Sequence, residues 1–158
     1  MERIALWMFL ILGIILVLIG FRKPLTKEAI LVFFMKAYFS TFIGVIVVEE
    51  KLLTYPVSFL SGYFDTSILF EYLLYPIVCT FYYRTSHDST FFGMVVQAVL
   101  YSATITVIEV LLEKCTDLIE YHTWTWYYTF ISLFLLSLFV RILMLVINKI
   151  EITSSHKK

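Results

Sequence analysis

Four ionisable residues, Lys36, Glu71, Glu109 and Arg141, lie inside otherwise apolar stretches of this chain. A charge at the centre of a bilayer costs on the order of 3 kcal/mol, so such residues are functional candidates by default. What they could do depends on what shares their helix face. Ser102, Thr106, Glu109 and Glu113 recur at helical spacing, and so do Glu71, Tyr75, Cys79 and Tyr82. If those faces meet, carboxylates, a phenol and hydroxyls converge on one pocket. Carboxylates close together in a low-dielectric site can hold a proton or a cation. The candidate polar pocket is therefore Glu71, Tyr75, Ser102, Thr106, Glu109 and Glu113. The competing reading is that each face packs the bundle, with hydroxyls joining neighbouring helices.

The two cations read differently. Lys36 lies seven residues into its apolar stretch, and Arg141 lies six residues from the end of its own. At 1.5 Å per residue both are about 10 Å deep. That is close enough to snorkel to the headgroups or to hold a lipid phosphate. The carboxylates fall near the opposite ends of their stretches, so a Lys36–Glu109 pair is not expected.

Other chemistry is sparse. There is no His-x-x-x-His pair, Gly-rich phosphate loop, Gly-x-Ser-x-Gly or Cys-x-x-Cys. No enzyme activity, metal site or cofactor is expected. His87, His122 and His156 fall in connections or the tail and read as solvated. Cys79 lies midway along the third apolar stretch and Cys115 just past the fourth, so their depths differ by more than about 10 Å. A disulfide needs Cα atoms within about 7 Å, so both read as free thiols. Ser40 and Gly44 form a small-xxx-small step, the pattern of a close helix contact.

The elements that must position these residues are five apolar stretches, about 4–21, 29–48, 68–83, 91–112 and 124–147. A hydrocarbon core about 30 Å thick needs roughly 20 helical residues to cross it. Backbone groups in lipid must be satisfied within the segment, which makes each stretch a helix. The composition agrees: 61% of the 158 residues are hydrophobic and 15% charged, against about 25% charged in soluble domains. The chain reads as one all-α domain over 1–158, an integral membrane bundle of five transmembrane helices. Its first partner is the lipid bilayer, and a second membrane protein is a further candidate. Lys plus Arg and Asp plus Glu each total 12, which leaves no basic excess for nucleic acid.

Smaller features refine this frame. The first apolar run has 18 residues without a small-residue cleavage site, so it reads as an uncleaved helix rather than a signal peptide. Residues 52–67 remain apolar and aromatic, and predict a short interfacial helix or a packed loop. Pro76 predicts a kink in the third helix. The Trp124–Tyr128 cluster suits the headgroup level, and the polar residues 148–158 read as a frayed tail.

Orientation follows from the basic residues. One side carries Arg22, Lys23, Lys27, Arg84, Lys149, Lys157 and Lys158; the other carries Arg3, Lys51 and Lys114. Cytoplasmic loops hold the excess, which puts the N-terminus outside and the C-terminus inside. The pocket carboxylates then face outward.

Six segments carry a family likeness. They are Phe21-Arg22-Lys23-Pro24, Leu31-Val32-Phe33-Phe34-Met35-Lys36-Ala37-Tyr38, Tyr55-Pro56-Val57, Ser67-Ile68-Leu69-Phe70-Glu71-Tyr72-Leu73-Leu74-Tyr75-Pro76, Leu100-Tyr101-Ser102 and Leu118-Ile119-Glu120-Tyr121. In that order the chain resembles an uncharacterised family of small multi-spanning membrane proteins from endospore-forming bacteria. Glu71 stands where that family more typically has Asp, and Ala103 where it has Pro. The resemblance implies a bacterial cytoplasmic or forespore membrane and transfers no activity. The expected function is a non-enzymatic accessory or partner-binding subunit. The alternative is a carrier or channel element that binds a cation or small solute at the acidic pocket. A converging cavity with two carboxylates favours the second; a filled core favours the first.

Overall fold

The computed structural model describes residues 2–23, 26–60 and 63–155, the last five as backbone only. Pro24, His156, Lys157 and Lys158 lie outside the described residues. Length and hydropathy produce the long helices α1 (Glu2–Gly20) and α2 (Thr26–Glu49). Two strands, β1 (Leu53–Thr54) and β2 (Glu120–Tyr121), lie outside the helices. A π-helical segment (Leu69–Leu74) runs directly into α3 (Tyr75–Thr85). The chain continues with α4 (Phe91–Cys115) and α5 (Trp126–Ser155). Four helices, α1, α2, α4 and α5, are long and apolar enough to cross a membrane.

The side chains are sorted as a lipid solvent would sort them. Phe34, Tyr38, Phe42, Leu100, Val107 and Leu135 face outward, while Lys36, Ser40, Ser102, Thr106, Glu109 and Arg141 are buried. Acyl chains are as apolar as leucine, so packing gains little from hiding leucine and much from hiding polar groups. The third helical element is the hub. The π segment and α3 pack against α1 and α2, and α3 also meets α4 and α5. Close approach to α1 needs glycine: a Cβ on Gly20 would lie 2.8 Å from the Ile77 side chain.

Pro76 does not break this element. It has no N–H to offer the carbonyl one turn back. The ladder instead widens just upstream, where the Tyr75 N–H bonds the Phe70 carbonyl, and the helix runs on through the proline to Thr85. The irregularity expected at Pro76 takes the form of π winding just before it, a distortion that gathers at functional sites. Glu71 sits within it.

Among its described residues, the connection 52–67 adds no further long helix. It supplies β1, which pairs antiparallel with β2 in the register Leu53↔Tyr121 and Thr54↔Glu120. The Leu52 carbonyl accepts the N–H groups of His122, Thr123 and Trp124 at 3.0, 3.2 and 3.0 Å. This ribbon is the one departure from an all-α chain among the described residues. Its cause is the need to satisfy backbone groups where Leu53, Tyr55, Leu118 and Ile119 are pressed into the core.

Arginines tie the opposite end. Arg84 donates to the carbonyls of Gly20 (3.1 Å) and Arg22 (2.6 Å), closing the end of α1. Arg141 donates to the carbonyls of Ser86 (3.1 Å) and His87 (2.9 Å) just past α3, with its guanidinium 4.9 Å from the Tyr83 ring centre. Each is a cation at the negative end of a helix dipole. The expected snorkelling of Arg141 to lipid phosphate is therefore corrected: its guanidinium is buried and bonded to protein carbonyls. The tail is also corrected, since α5 continues to Ser155.

Candidate functional site

Glu109 is fixed by three elements. Tyr75 of α3 donates to its Oε2 at 3.0 Å. Tyr121 of β2 and Thr129 of α5 donate to its Oε1 at 2.8 and 3.0 Å. Trp124 steadies the arrangement, its indole N–H reaching Thr129 Oγ1 at 2.8 Å. Burial first, then the Glu109 carboxylate beside it, pushes the Tyr121 phenol above its usual range. Tyr121 therefore remains a donor at neutral pH.

Glu71 is fixed by α2. Ser40 donates to its Oε2. Gly44, one turn on, leaves the space that the carboxylate fills: a Cβ there would lie 2.6 Å from Glu71 Oε1. The small-xxx-small step of α2 is thus a seat for a carboxylate as well as a helix contact.

Both carboxylates border one cavity of about 50 Å³, whose polar wall also includes Ser40, Tyr55, Tyr75, Thr129 and Ser132. A water needs about 10–15 Å³ on this measure, so the space holds a few waters or one small ion. An ionised carboxylate has roughly four acceptor positions. Three hydroxyls occupy Glu109 and one occupies Glu71, which leaves acceptor capacity turned to the cavity. The donor set is all oxygen, the preference of hard cations. Tyr55 also lines an open depression at the ribbon end with Glu49, Asp65 and His122. Burial and the two carboxylates raise the Tyr55 phenol, so it stands as a neutral partition between depression and cavity.

Of the six pocket residues expected from sequence, Glu71, Tyr75 and Glu109 converge on this cavity. The others do not. Thr106 returns its hydroxyl to the Ser102 carbonyl at 2.8 Å. Ser102 faces a separate small cavity. Glu113 is half-buried and outside the lining. Lys36 does not snorkel: it is 1% exposed and lines that second cavity with residues of α3, α4 and α5. Tyr55, Tyr121, Trp124 and Thr129 escaped sequence reasoning; the only signal was their clustering in the two connections that pair as the ribbon and at the start of α5. Cys79 and Cys115 are both free.

Fold and site define a predominantly helical protein with four helices long and apolar enough to cross a membrane and a carboxylate-lined cavity inside its bundle. No family model, curated protein or solved structure matches the chain, and so no relative points to an enzyme.

Proposed function

We propose that this protein binds a small hard cation at the Glu71–Glu109 cavity, as a carrier or channel element of a bacterial membrane. The observation that carries this reading is the turning of both carboxylates onto one hydroxyl-lined space. A bundle that served only as a partner-binding subunit would gain nothing from two carboxylates turned onto one interior space. The π segment and α3 form the fifth span in this reading, with the N-terminus outside and the C-terminus inside. The cavity then lies behind Tyr55 from the outer-face depression, where Glu49 and Asp65 outnumber Lys51 and favour cations. The resemblance to membrane proteins of endospore-forming bacteria belongs with this proposal, and it supplies the cytoplasmic or forespore membrane.

Binding to the folded state alone raises stability, by about 2.7 kcal/mol at a ligand concentration one hundred times Kd. The purified protein should therefore melt at a higher temperature in sodium or potassium chloride than in choline chloride. Glu109→Gln keeps the acceptor oxygen and removes the charge, so it should fold normally and lose the salt-specific shift. Equal shifts in both proteins would defeat the assignment. Orientation is tested by a cysteine probe at Ser155, which should react with an impermeant reagent only after cells are opened. Labelling from outside intact cells would reverse the topology.

A further inference from the structure

One tyrosine away from the carboxylates lies a second cavity, of about 10 Å³. Tyr75 walls both spaces. Lys36 borders the smaller one and is 1% exposed, yet its Nζ has no hydrogen-bond partner among the described residues. Ser102 Oγ, in the same wall, has none either. An ammonium carries three donors and no acceptor, and burying it without partners is costly. An apolar side chain of similar volume would pack the position at lower cost. A purely structural role therefore does not account for a lysine here.

Its neighbours indicate what it answers to. Lys36, Ser40 and Gly44 occupy successive turns of one face of α2. The latter two hold Glu71. Lys36 thus sits one turn, about 6 Å of helix, from the serine bound to that carboxylate, in a cavity that shares its Tyr75 wall with the one Glu71 lines. The other groups facing it are Tyr75, Cys79 and Tyr82 from α3, Tyr101 and Ser102 from α4, and Ser137 from α5. None of these is an anion in its ordinary state. The second buried cation, Arg141, is already engaged by carbonyls.

We propose that Lys36 is the built-in counter-cation of Glu71, and that a sodium or potassium ion entering the carboxylate cavity displaces the Lys36 proton. The site then exchanges one monovalent cation for one proton. This rests on the cation reading above and adds its coupling. The balance is simple. Before exchange the interior holds two carboxylates and one ammonium. The incoming ion brings one positive charge; an N–H bond of the ammonium breaks, its electron pair stays on nitrogen, and the proton leaves to solvent. Net charge in the site is unchanged, which suits a low-dielectric interior.

The test is proton release from the full-length protein in weakly buffered detergent, read with a pH-indicator dye as sodium chloride is added, with choline chloride as reference. Sodium binding is measured in parallel with radiolabelled ion. The wild type should release about one proton per bound sodium. Lys36→Met removes the competitor, so sodium should bind about tenfold more tightly and release no proton. Lys36→Arg fixes the charge, since guanidinium keeps its proton, and binding should weaken by about tenfold or more. Opposite changes at one position are not a folding artefact. Continued proton release from Lys36→Met would assign the proton to a carboxylate and overturn this inference while leaving cation binding intact. Equal losses in both variants would also overturn it. A wild type that binds neither sodium nor potassium would overturn both proposals.

Discussion

Arg141→Met should be among the most destabilising single changes in this protein, costing about 3 kcal/mol. The guanidinium makes two charge-assisted bonds to carbonyls beyond α3, and such bonds contribute about 1.5–3 kcal/mol each. Its position over Tyr83 adds up to about 2 kcal/mol when desolvated. Burying a guanidinium opposes part of that sum. Removing it takes the donor from the His87 carbonyl, leaves the Ser86 carbonyl only the Ser89 N–H, and frees the end of the helix that carries Glu71, Tyr75 and Tyr82. For a chain of this size the midpoint should fall by roughly 6–12 °C. Arg141→Lys keeps the charge without the planar fork and should fall between. Thermal unfolding in lipid-free detergent is the measurement. If Arg141→Met melts with the wild type there and differs only in anionic lipid, Arg141 serves headgroups and the capping role is wrong.

The two readings of Arg141 show where sequence reasoning stops. Counting residues from the end of an apolar stretch gives a depth for Arg141 but not its neighbours. It could not say that Ser86 and His87, fifty-odd residues away in sequence, would present carbonyls at the same level. Lys36 was misjudged for the same reason: a long flexible stem permits snorkelling, but Lys36 is buried against a cavity bordered by α3, α4 and α5. The carboxylates were legible because a helix repeats every 3.6 residues, and a charge in an apolar stretch turns inward wherever a neighbour offers hydroxyls. Half the site was not legible. Tyr55 and Trp124 reach the cavity, and Tyr121 reaches Glu109, only because β1 and β2 pair between distant parts of the chain, as the Leu53↔Tyr121 register shows. No local period encodes that pairing.

Gly44→Ala should abolish specific cation binding while leaving the bundle folded. The added methyl would sit 2.6 Å from Glu71 Oε1 and 2.8 Å from its carboxyl carbon, closer than atoms can approach. What must move is the far end of a glutamate, which borders an open cavity, so α2 need not separate from α3. Moving the carboxylate breaks its bond from Ser40 and carries its charge toward Glu109. Two carboxylates forced together repel, and one of them then takes a proton in place of a cation. The expected result is at least about a tenfold loss of sodium affinity, equivalent to about 1.4 kcal/mol, with a midpoint in choline chloride within about 1 kcal/mol of wild type. Ser40→Ala is the companion: it removes the hydrogen bond without filling the seat, so it should weaken binding by less. Gly20→Ala is the control for packing, because its Cβ would meet Ile77 and should lower stability without touching cation affinity. A Gly44→Ala protein that binds sodium as the wild type does would mean that the ion does not depend on where α2 seats Glu71, and the cavity would lose its claim to be the site.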